Sequence, residues 1–149
     1  MRNFVTIVVL FFSTFICLTS SNQERPCEIH RRNAGAATAP MDWDIRCDAL
    51  GSYLPLQCTR ESPKWCACYE VDFRITQPSR YTKVCGCYIK RYRAHHNATA
   101  GPCDIPECDR HGSFKKKQCC HATDECRCVD ATTGETVTEP VPDMNLQCV

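Results

Sequence analysis

The sequence predicts a small disulfide-rich α+β fold made of two tandem modules, each with a short antiparallel sheet and the first with a short N-terminal helix. Two observations predict it. The chain has 15 cysteines among 149 residues, and the stretch 47–58 recurs at 108–119 with seven residue types in the same register. Each module would have about 50–60 residues, a size at which an apolar core alone is marginal. Disulfides must therefore supply much of the stability, typically ~2–4 kcal/mol each.

Residues 1–21 have the composition of a signal peptide. Arg2 provides the charged start, residues 4–18 are mostly apolar, and small residues follow. A membrane anchor is the weaker alternative, because a spanning helix needs ~20 apolar residues. Cleavage would remove Arg2 and Cys17, which leaves fourteen cysteines and a net charge of 0 instead of +1. An even number in an exported chain predicts a secreted, extracellular protein without free thiols.

The repeated stretch predicts a tight turn followed by a strand. Gly51 and Gly112 stand four residues after the first cysteine of each copy, where they allow a positive φ. The run 53–58 is predicted as a strand. Cys66 and Cys68 should leave one face of a following strand, because side chains alternate. They can therefore tie that strand to two different partners.

The repeated pattern resembles the thyroglobulin type-1 domain, in which Pro-x-Cys-Asp-x-x-Gly-x-Tyr-x-x-x-Gln-Cys is followed by Cys-Trp-Cys-Val and a last Cys. The resemblance covers almost all of the chain after residue 21, and residues 85–90 also look like secreted two-module arachnid proteins of this family. Ala67 and Arg127 replace the Trp between the paired cysteines, and Trp65 is expected to supply the lost ring. The matching residues are Cys47, Asp48, Gly51, Tyr53, Gln57, Cys58, Cys66 and Cys68, and then Pro106, Cys108, Asp109, Gly112, Phe114, Gln118, Cys119, Cys126, Cys128 and Val129.

The resemblance also implies a disulfide connectivity, because the family joins successive cysteines. Cys68 would pair with Cys85 or Cys87, a choice that the spacing leaves open. Cys120 would then pair with the cysteine left over from that choice or with Cys103. The other implied pairs are Cys27–Cys47, Cys58–Cys66, Cys119–Cys126 and Cys128–Cys148.

The predicted organisation is a signal peptide at 1–21, a first module at 27–87, a linker at 88–102 and a second module at 103–149. Only four residues separate Cys103 from Cys108, whereas nineteen separate Cys27 from Cys47. The helix and the first loop are therefore expected to be missing from the second module.

Three loops of the first module are candidates for binding. A short helix is predicted at 27–33, and the uncharged small residues 35–40 follow it. The resemblance places the family's first binding loop there, while a plain connector is the alternative. The second loop lies between Cys58 and Cys66, and the third follows Cys68. The predicted loop residues are Ala36, Ala37, Thr38 and Ala39, then Arg60, Glu61, Ser62 and Pro63, and then Thr76, Gln77 and Pro78.

The leading functional hypothesis is a secreted inhibitor of papain-like cysteine proteases. Inhibitory members of the family insert three loops as a wedge into the protease cleft, so the resemblance implies such a protease as partner. Inhibition is expected in the first module, which has all three loops. The alternatives are a non-inhibitory extracellular module that binds sulfated glycans or a growth factor, and a venom or salivary effector with another target.

The sequence contains none of the catalytic motifs that an enzyme of a common class would need. It has no His-Glu-x-x-His, no Gly-x-Ser-x-Gly and no phosphate-binding glycine loop. Paired cysteines are not thiolate nucleophiles, and Cys-x-Cys spacing in an oxidising compartment does not favour zinc. We therefore expect no enzyme activity, no metal and no other cofactor. A neutral exported chain is also expected to bind neither nucleic acid nor membrane, and to be a monomer.

Basic residues form clusters that allow two interpretations. They are ordinary solvated surface, or they bind sulfated glycans, since clustered cations attract polyanions, most strongly at low salt. Strand alternation should place Lys116 opposite Lys115 and Lys117. Asn97, in Asn-Ala-Thr, is a predicted N-glycosylation site. The clusters are Arg31-Arg32, the group Lys90, Arg91 and Arg93, and Lys115-Lys116-Lys117.

Overall fold

The fold is a small disulfide-rich α+β structure, as predicted. The computed structural model describes residues 24–34 and 41–149, so the predicted signal peptide and the first predicted loop, Ala36 to Ala39, lie outside the described residues. Its helices are α1, Pro26–Asn33, and α2, Gly86–His95, with a 3-10 turn at Pro102–Asp104. Its strands are β1 Trp43–Asp44, β2 Leu56–Thr59, β3 Cys66–Glu70, β4 Phe73–Arg74, β5 Lys117–Cys120, β6 Glu125–Val129 and β7 Thr136–Val141.

The strands form two antiparallel sheets, one in each half of the chain. The first has the order β1-β2-β3-β4 and the second the order β5-β6-β7. In the first sheet Cys58 lies opposite Cys66, and in the second Cys119 lies opposite Cys126. A disulfide joins each of these facing pairs. A covalent bond therefore fixes the register of the central strand pair in both halves.

The two halves share the same turn after the first cysteine of the repeat. Asp48 Oδ1 accepts hydrogen bonds from the backbone N–H groups of Leu50 at 2.8 Å and Ser52 at 2.9 Å. Asp109 Oδ1 accepts the corresponding bonds two and four residues on, at 2.8 and 2.9 Å. Gly51 has φ 79° and Gly112 has φ 95°, as the sequence predicts. The Asp and Gly of the repeat therefore specify one turn conformation.

The glutamine of the repeat is a buried connector. Gln57 is fully buried, accepts a hydrogen bond from Arg46 N at 2.8 Å, and donates to Arg46 O and Leu54 O, both at 2.7 Å. Gln118 makes the same three bonds to Glu107 and Lys115, at 2.7 to 2.8 Å. Because a buried amide must be paired, the side chain holds the segment before the repeat against the strand that ends it.

The core of the first half corrects the expectation for Trp65. Ala67 is buried in a cluster that contains the rings of Trp43, Tyr53 and Tyr69, which are 5–9% exposed. Trp65 is 38% exposed and lies 5.5 Å from the guanidinium of Arg80. Trp65 lies before β3, outside the strand, and its ring packs beside Arg80 at the surface. The rings around Ala67 are therefore supplied by other parts of the first half, and Trp65 is not one of them.

The segment expected to be a linker is largely a helix. Residues 88–95 belong to α2, and Cys87 at its start pairs with Cys108, just as Cys27 at the start of α1 pairs with Cys47. The sequence separations of these two disulfides are 21 and 20 residues. The expectation that the second half lacks its helix and first loop is therefore wrong, because Cys87 and not Cys103 corresponds to Cys27.

The remaining cysteines resolve the pairings that the sequence left open. Cys68 pairs with Cys85, and Cys103 pairs with Cys120. The four other pairs implied by the resemblance are present, so all fourteen described cysteines form seven disulfides.

The second half packs directly on the first at the start of α2. The backbone N–H groups of Lys83 and Val84 donate to His111 O at 2.9 and 3.0 Å. A Cβ on Gly112 would lie 1.8 Å from Val84 O, so this contact requires glycine. On the other side of α2, Arg93 Nη2 lies 2.7 Å from Glu70 Oε1 of β3. The helix therefore contacts the sheet of the first half and the turn of the second. Within the described residues, neither helix has the length and apolar character needed to cross a membrane.

Candidate functional site

One end of the first sheet brings together the exit of the first predicted loop and the anchors of the second and third. Trp43 pairs with Thr59 and Cys58 pairs with Cys66, while Cys66 forms an isolated bridge with Ser79. These residues form a row across the end of the sheet. The first loop leads into this row, the second connects its middle, and the third leads to Ser79. We call this edge, with residues 60–65 and 75–80 and the entry at Asp42, the loop end of the first half.

The second loop is tied to the exit of the first. Arg60 N donates to Asp42 O at 2.8 Å, and Arg60 Nη1 donates to Asp42 Oδ1 at 2.9 Å. Thr59 closes the base of its own loop, because Thr59 N donates to Trp65 O at 2.8 Å and Thr59 Oγ1 accepts from Trp65 N at 3.0 Å. Residues 60–65 are exposed between these anchors. The loop is therefore presented to solvent on a fixed base.

The third loop is held against the beginning of β3. Cys66 and Ser79 exchange two backbone hydrogen bonds of 2.9 Å, and Thr76 Oγ1 accepts from Cys68 N at 2.8 Å. The Cys68–Cys85 disulfide then fixes the far end of this segment. Arg80 stacks over Trp65, so the third loop also contacts the second. Of the predicted residues, Gln77 is exposed, whereas Thr76 and Pro78 are half-buried.

The helix α1 packs on Tyr53, whose backbone N–H donates to Val71 O in the turn between β3 and β4. His30 Nδ1 lies 3.0 Å from the Tyr53 hydroxyl, and their rings meet edge to face at 5.9 Å. Burial lowers the pKa of His30 below its ordinary value of 6.5, with a smaller contribution from the positive charge of Arg74. Burial also raises the pKa of Tyr53. The neutral forms of both rings are therefore the ones that fit this contact.

The corresponding edge of the second half is built differently. The Cys103–Cys120 disulfide joins the 3-10 turn to β5 at the place where the first half has the Asp42–Arg60 contacts. The loop at 121–124 is shorter than the loop at 60–65, and Asp124 at its end has φ 54°. This edge is therefore covalently closed and has a shorter second loop.

The lysine cluster does not converge on one point. Lys115 forms an ion pair with Glu107 at 2.7 Å, and Lys117 Nζ donates to Met144 O at 2.6 Å. The positive charge of Lys116 favours the ionised form of Asp130. The pKa of Asp130 is lowered mainly by hydrogen bonds from the backbone of Thr133 and Thr132, and less by this lysine. The expected separation of Lys116 from its two neighbours is consistent with these partners. Glycan binding by the cluster stays a prediction.

The other predicted features lie at the surface. Asn97 is exposed, and its Oδ1 accepts from Thr99 N at 3.1 Å and Thr99 Oγ1 at 2.9 Å. Glycosylation there stays a prediction. In the part of the chain that the structure describes, no three His, Cys, Asp or Glu side chains are grouped as a metal site. The described cysteines are all in disulfides and therefore provide no thiolate nucleophile.

Two features of the site were missed by sequence reasoning. The Asp42–Arg60 pair joins residues that are 18 apart in sequence, and no local pattern announces it. The Cys87–Cys108 disulfide did have a signal, because its spacing nearly equals that of Cys27 and Cys47. A comparison of spacings over the whole chain would have aligned α2 with α1.

The sequence is similar to known proteins over nearly its whole length. The family model of the thyroglobulin type-1 repeat matches residues 88–148. U20-hexatoxin-Hi1a of Hadronyche infensa is 31% identical over 144 residues, which cover 95% of this chain and 96% of that protein. U24-ctenitoxin-Pn1a of Phoneutria nigriventer is 33% identical over 112 residues, covering 74% of this chain and 85% of the relative.

A third relative is much longer than this chain. Thyroglobulin of Sus scrofa is 29% identical over 116 residues, which cover 72% of this chain and 4% of thyroglobulin. The family match falls on the half that contains α2, Cys87–Cys108 and the second sheet, and the hexatoxin match extends over the first half as well. The chain therefore belongs to the thyroglobulin type-1 family.

Proposed function

We propose that this protein is a secreted inhibitor of papain-like cysteine proteases that inserts the loop end of the first half into the protease cleft. One observation carries the proposal: the exit of the first loop and the anchors of the second and third meet along the row of Trp43, Thr59, Cys66 and Ser79. Three loops that leave one edge can form a single wedge. Inhibition by a wedge needs no reactive group on the inhibitor, in agreement with the disulfide-bonded state of the described cysteines.

The covalent frame supports tight binding. Cys58–Cys66 closes the base of the second loop, and Cys68–Cys85 holds the segment that carries the third. Loops that are ordered before binding lose less conformational entropy in the complex, so more of the contact free energy appears as affinity. A stable protein interface buries about 1,200–2,000 Å² in total, and three adjacent loops are better able to reach this range than one.

The organisation that fits this function is two tandem thyroglobulin type-1 modules without a separate linker. We propose boundaries of 27–85 and 86–149, after a signal peptide at 1–21, in place of the linker first expected at 88–102. Each module then begins with a helix whose cysteine pairs with the first cysteine of the repeat, Cys27 with Cys47 and Cys87 with Cys108. An extracellular location agrees with this density of disulfides.

The first module remains the proposed inhibitory one, on different grounds from the sequence argument. The missing helix no longer distinguishes the modules. What distinguishes them is that the second loop of the first module, 60–65, is longer than 121–124, while Cys103–Cys120 closes the edge of the second module. The inhibitory residues proposed are those of the three loops, Ala36 to Ala39, Arg60 to Pro63 and Thr76 to Pro78.

The test is a titration of the mature protein against papain-like, serine and aspartic proteases. We expect inhibition of papain-like enzymes alone. The second module expressed by itself should not inhibit them, because the proposed inhibitory residues lie in the first module. Ala37→Trp should weaken inhibition by ~2 kcal/mol or more, as bulk does at the centre of an interface, without loss of folding. Full potency of a folded Ala37→Trp variant, or no inhibition of any papain-like protease, would contradict the proposal.

A second candidate function comes from the names of the two spider relatives, which are called toxins. A venom toxin with a target other than a protease would give no signal in the protease panel. It would instead cause paralysis or death when the mature protein is injected into insects. Activity in the second assay together with silence in the first would favour this candidate.

A further inference from the structure

A groove lies between the two halves, next to the third loop. It has a volume of about 430 Å³, a size that suits a small ligand. The first half lines it with Thr76, Gln77, Ser79 and Thr82, and the second half lines it with Arg91 and Arg110. The polar lining thus combines two guanidinium groups with hydroxyl and amide groups, and none of its residues is acidic.

The two arginines are held in place by aromatic rings rather than by carboxylates. The Arg91 guanidinium lies 5.1 Å from the centre of the Tyr88 ring, and that of Arg110 lies 4.8 Å from the centre of the Tyr81 ring. Among the described residues, no Asp or Glu oxygen is within ion-pair distance of either guanidinium. Their positive charge is therefore not neutralised by a neighbouring carboxylate, while stacking restricts their position.

The sequence around the groove has an unusual charge distribution. From residue 73 to residue 103 there is no Asp or Glu, although the same stretch has six Lys and Arg residues. Arg74, Arg80 and Lys83 are each adjacent in sequence to a lining residue. The segment that supplies most of the lining therefore carries positive charge without acidic residues, although the total charge of the chain is close to zero, and such a segment attracts anions.

Several backbone groups at and beside the groove are already hydrogen-bonded. Ser79 uses both its N–H and its C=O with Cys66, and the N–H groups of Lys83 and Val84 are bound to His111 O. An extended peptide therefore finds no free backbone N–H at these three residues for main-chain pairing. The side chains favour another ligand, because hydroxyl and amide groups beside guanidinium forks match a ligand with hydroxyls and oxyanions.

We propose that this groove binds a sulfated saccharide, with Arg91 and Arg110 contacting sulfate oxygens and the polar side chains of the first half contacting sugar hydroxyls. The site differs from the lysine cluster at 115–117. It is independent of the inhibitor proposal, because binding needs no protease and the experiment contains none.

The experiment measures the affinity of the mature protein for a heparin-derived hexasaccharide at about 0.15 M salt by calorimetry. The double variant Arg91→Gln with Arg110→Gln should lose about 100-fold in affinity, because each charged hydrogen-bonding contact contributes roughly tenfold. The matched control, Lys115→Gln with Lys117→Gln, removes the same charge elsewhere and should lose less than about threefold. Circular dichroism verifies that both variants are folded.

Several outcomes would overturn the proposal. Equal losses in the two double variants would mean that net charge alone attracts the hexasaccharide. A larger loss in the lysine variant would assign glycan binding to the lysine cluster. Undiminished binding of a chemically desulfated hexasaccharide, or tighter binding of a hexaglutamate peptide, would exclude sulfate recognition. No binding by the unmodified protein would do the same.

Discussion

The chain that enters each of the two sheets is held at the sheet edge, but by different contacts in the two halves. In the first half, the chain that enters the sheet is held by a β1–β2 pair and by the exposed Asp42–Arg60 contacts. In the second half, the corresponding chain is held by the Cys103–Cys120 disulfide. The two halves therefore share the turn, the buried glutamine and the central disulfide that the repeat specifies, whereas their sheet edges differ. A variable edge on a constant frame is where binding specificity can change without loss of the fold.

The largest effect is expected at the glycine of the turn, which has different neighbours in the two halves. Gly112→Ala would place a Cβ 1.8 Å from Val84 O, a backbone atom, and should destabilise the protein by about 2–5 kcal/mol. Gly51→Ala meets the flexible Arg25 side chain at 2.7 Å and should cost about 1–2 kcal/mol, the strain of its positive φ. Denaturant unfolding of both variants measures the difference. Equal losses would mean that the contact with Val84 is not closely packed.

A second comparison removes the central disulfide of each half. Replacing Cys58 and Cys66 by Ser, or Cys119 and Cys126 by Ser, should cost about 2–4 kcal/mol in either case, because the sequence separations are 8 and 7 residues. Only the first replacement should weaken protease inhibition, by tenfold or more. An equal loss of inhibition in both variants would place the inhibitory surface elsewhere.

Thiol labelling under denaturing, non-reducing conditions should give no signal for the unmodified protein.

A smaller effect is expected from the ion pairs at the two edges. Asp42→Ala releases Arg60 and should change the stability by less than ~1 kcal/mol, because both side chains are largely exposed. Inhibition should nevertheless fall about tenfold, since the second loop loses its contact with the first. Glu107→Ala breaks the similarly exposed pair with Lys115 in the second half and is the matched control. It should leave inhibition unchanged, and a loss there would contradict the division between the halves.

The smallest effect concerns pH. The pKa of His30 is lowered in the folded protein, so its contribution to stability is present above 6.5 and is lost as the pH falls through the folded value. Hydrogen-exchange protection of α1, corrected for intrinsic exchange, should therefore decrease between about pH 7.5 and 5. In α2 the corresponding position is Lys90, whose Nζ lies 5.4 Å from the Phe114 ring, and protection there should not follow this decrease. His30→Gln should abolish the pH dependence in α1, and persistence in that variant would assign it to another group.

The sequence predicted those parts of the fold that depend on local chemistry. The turn at Gly51, the helix α1 and the two different partners of Cys66 and Cys68 follow from glycine conformation, capping and strand alternation. It did not predict that the rings of Trp43, Tyr53 and Tyr69 share the core with Ala67, because only tertiary packing brings these separate positions together. The sequence did not predict the second helix, because Cys103 lies nearer to Cys108 than Cys87 does and therefore looks like the counterpart of Cys27. The disulfide that defines the counterpart is the longer one, from Cys87 to Cys108.

For the candidate site, the sequence was informative only where a loop is bounded by two cysteines. Residues 60–63 lie in an exposed loop between Cys58 and Cys66, as that bounding implies. Thr76, by contrast, is half-buried and accepts a hydrogen bond from Cys68 N, a contact across the sheet that composition does not encode. The groove between the halves depends on how α2 packs, so no reading of the separate modules could have predicted it.

Cys85 and Cys87 are separated by one residue, Gly86, and this close spacing has a consequence for oxidative folding. Exchange of Cys85 for Cys87 as the partner of Cys68 would shift the start of α2 by two positions, a rotation of about 200° around the helix axis. Arg93 would then turn away from Glu70, and Cys85 would be left to reach Cys108. Such an isomer lacks the contacts that protect its bonds, so its sulfurs stay accessible to thiolate attack and rearrange. The packing of α2 thus favours the native pairing of Cys85 and Cys87 over the exchanged one, because only the native pairing allows that packing.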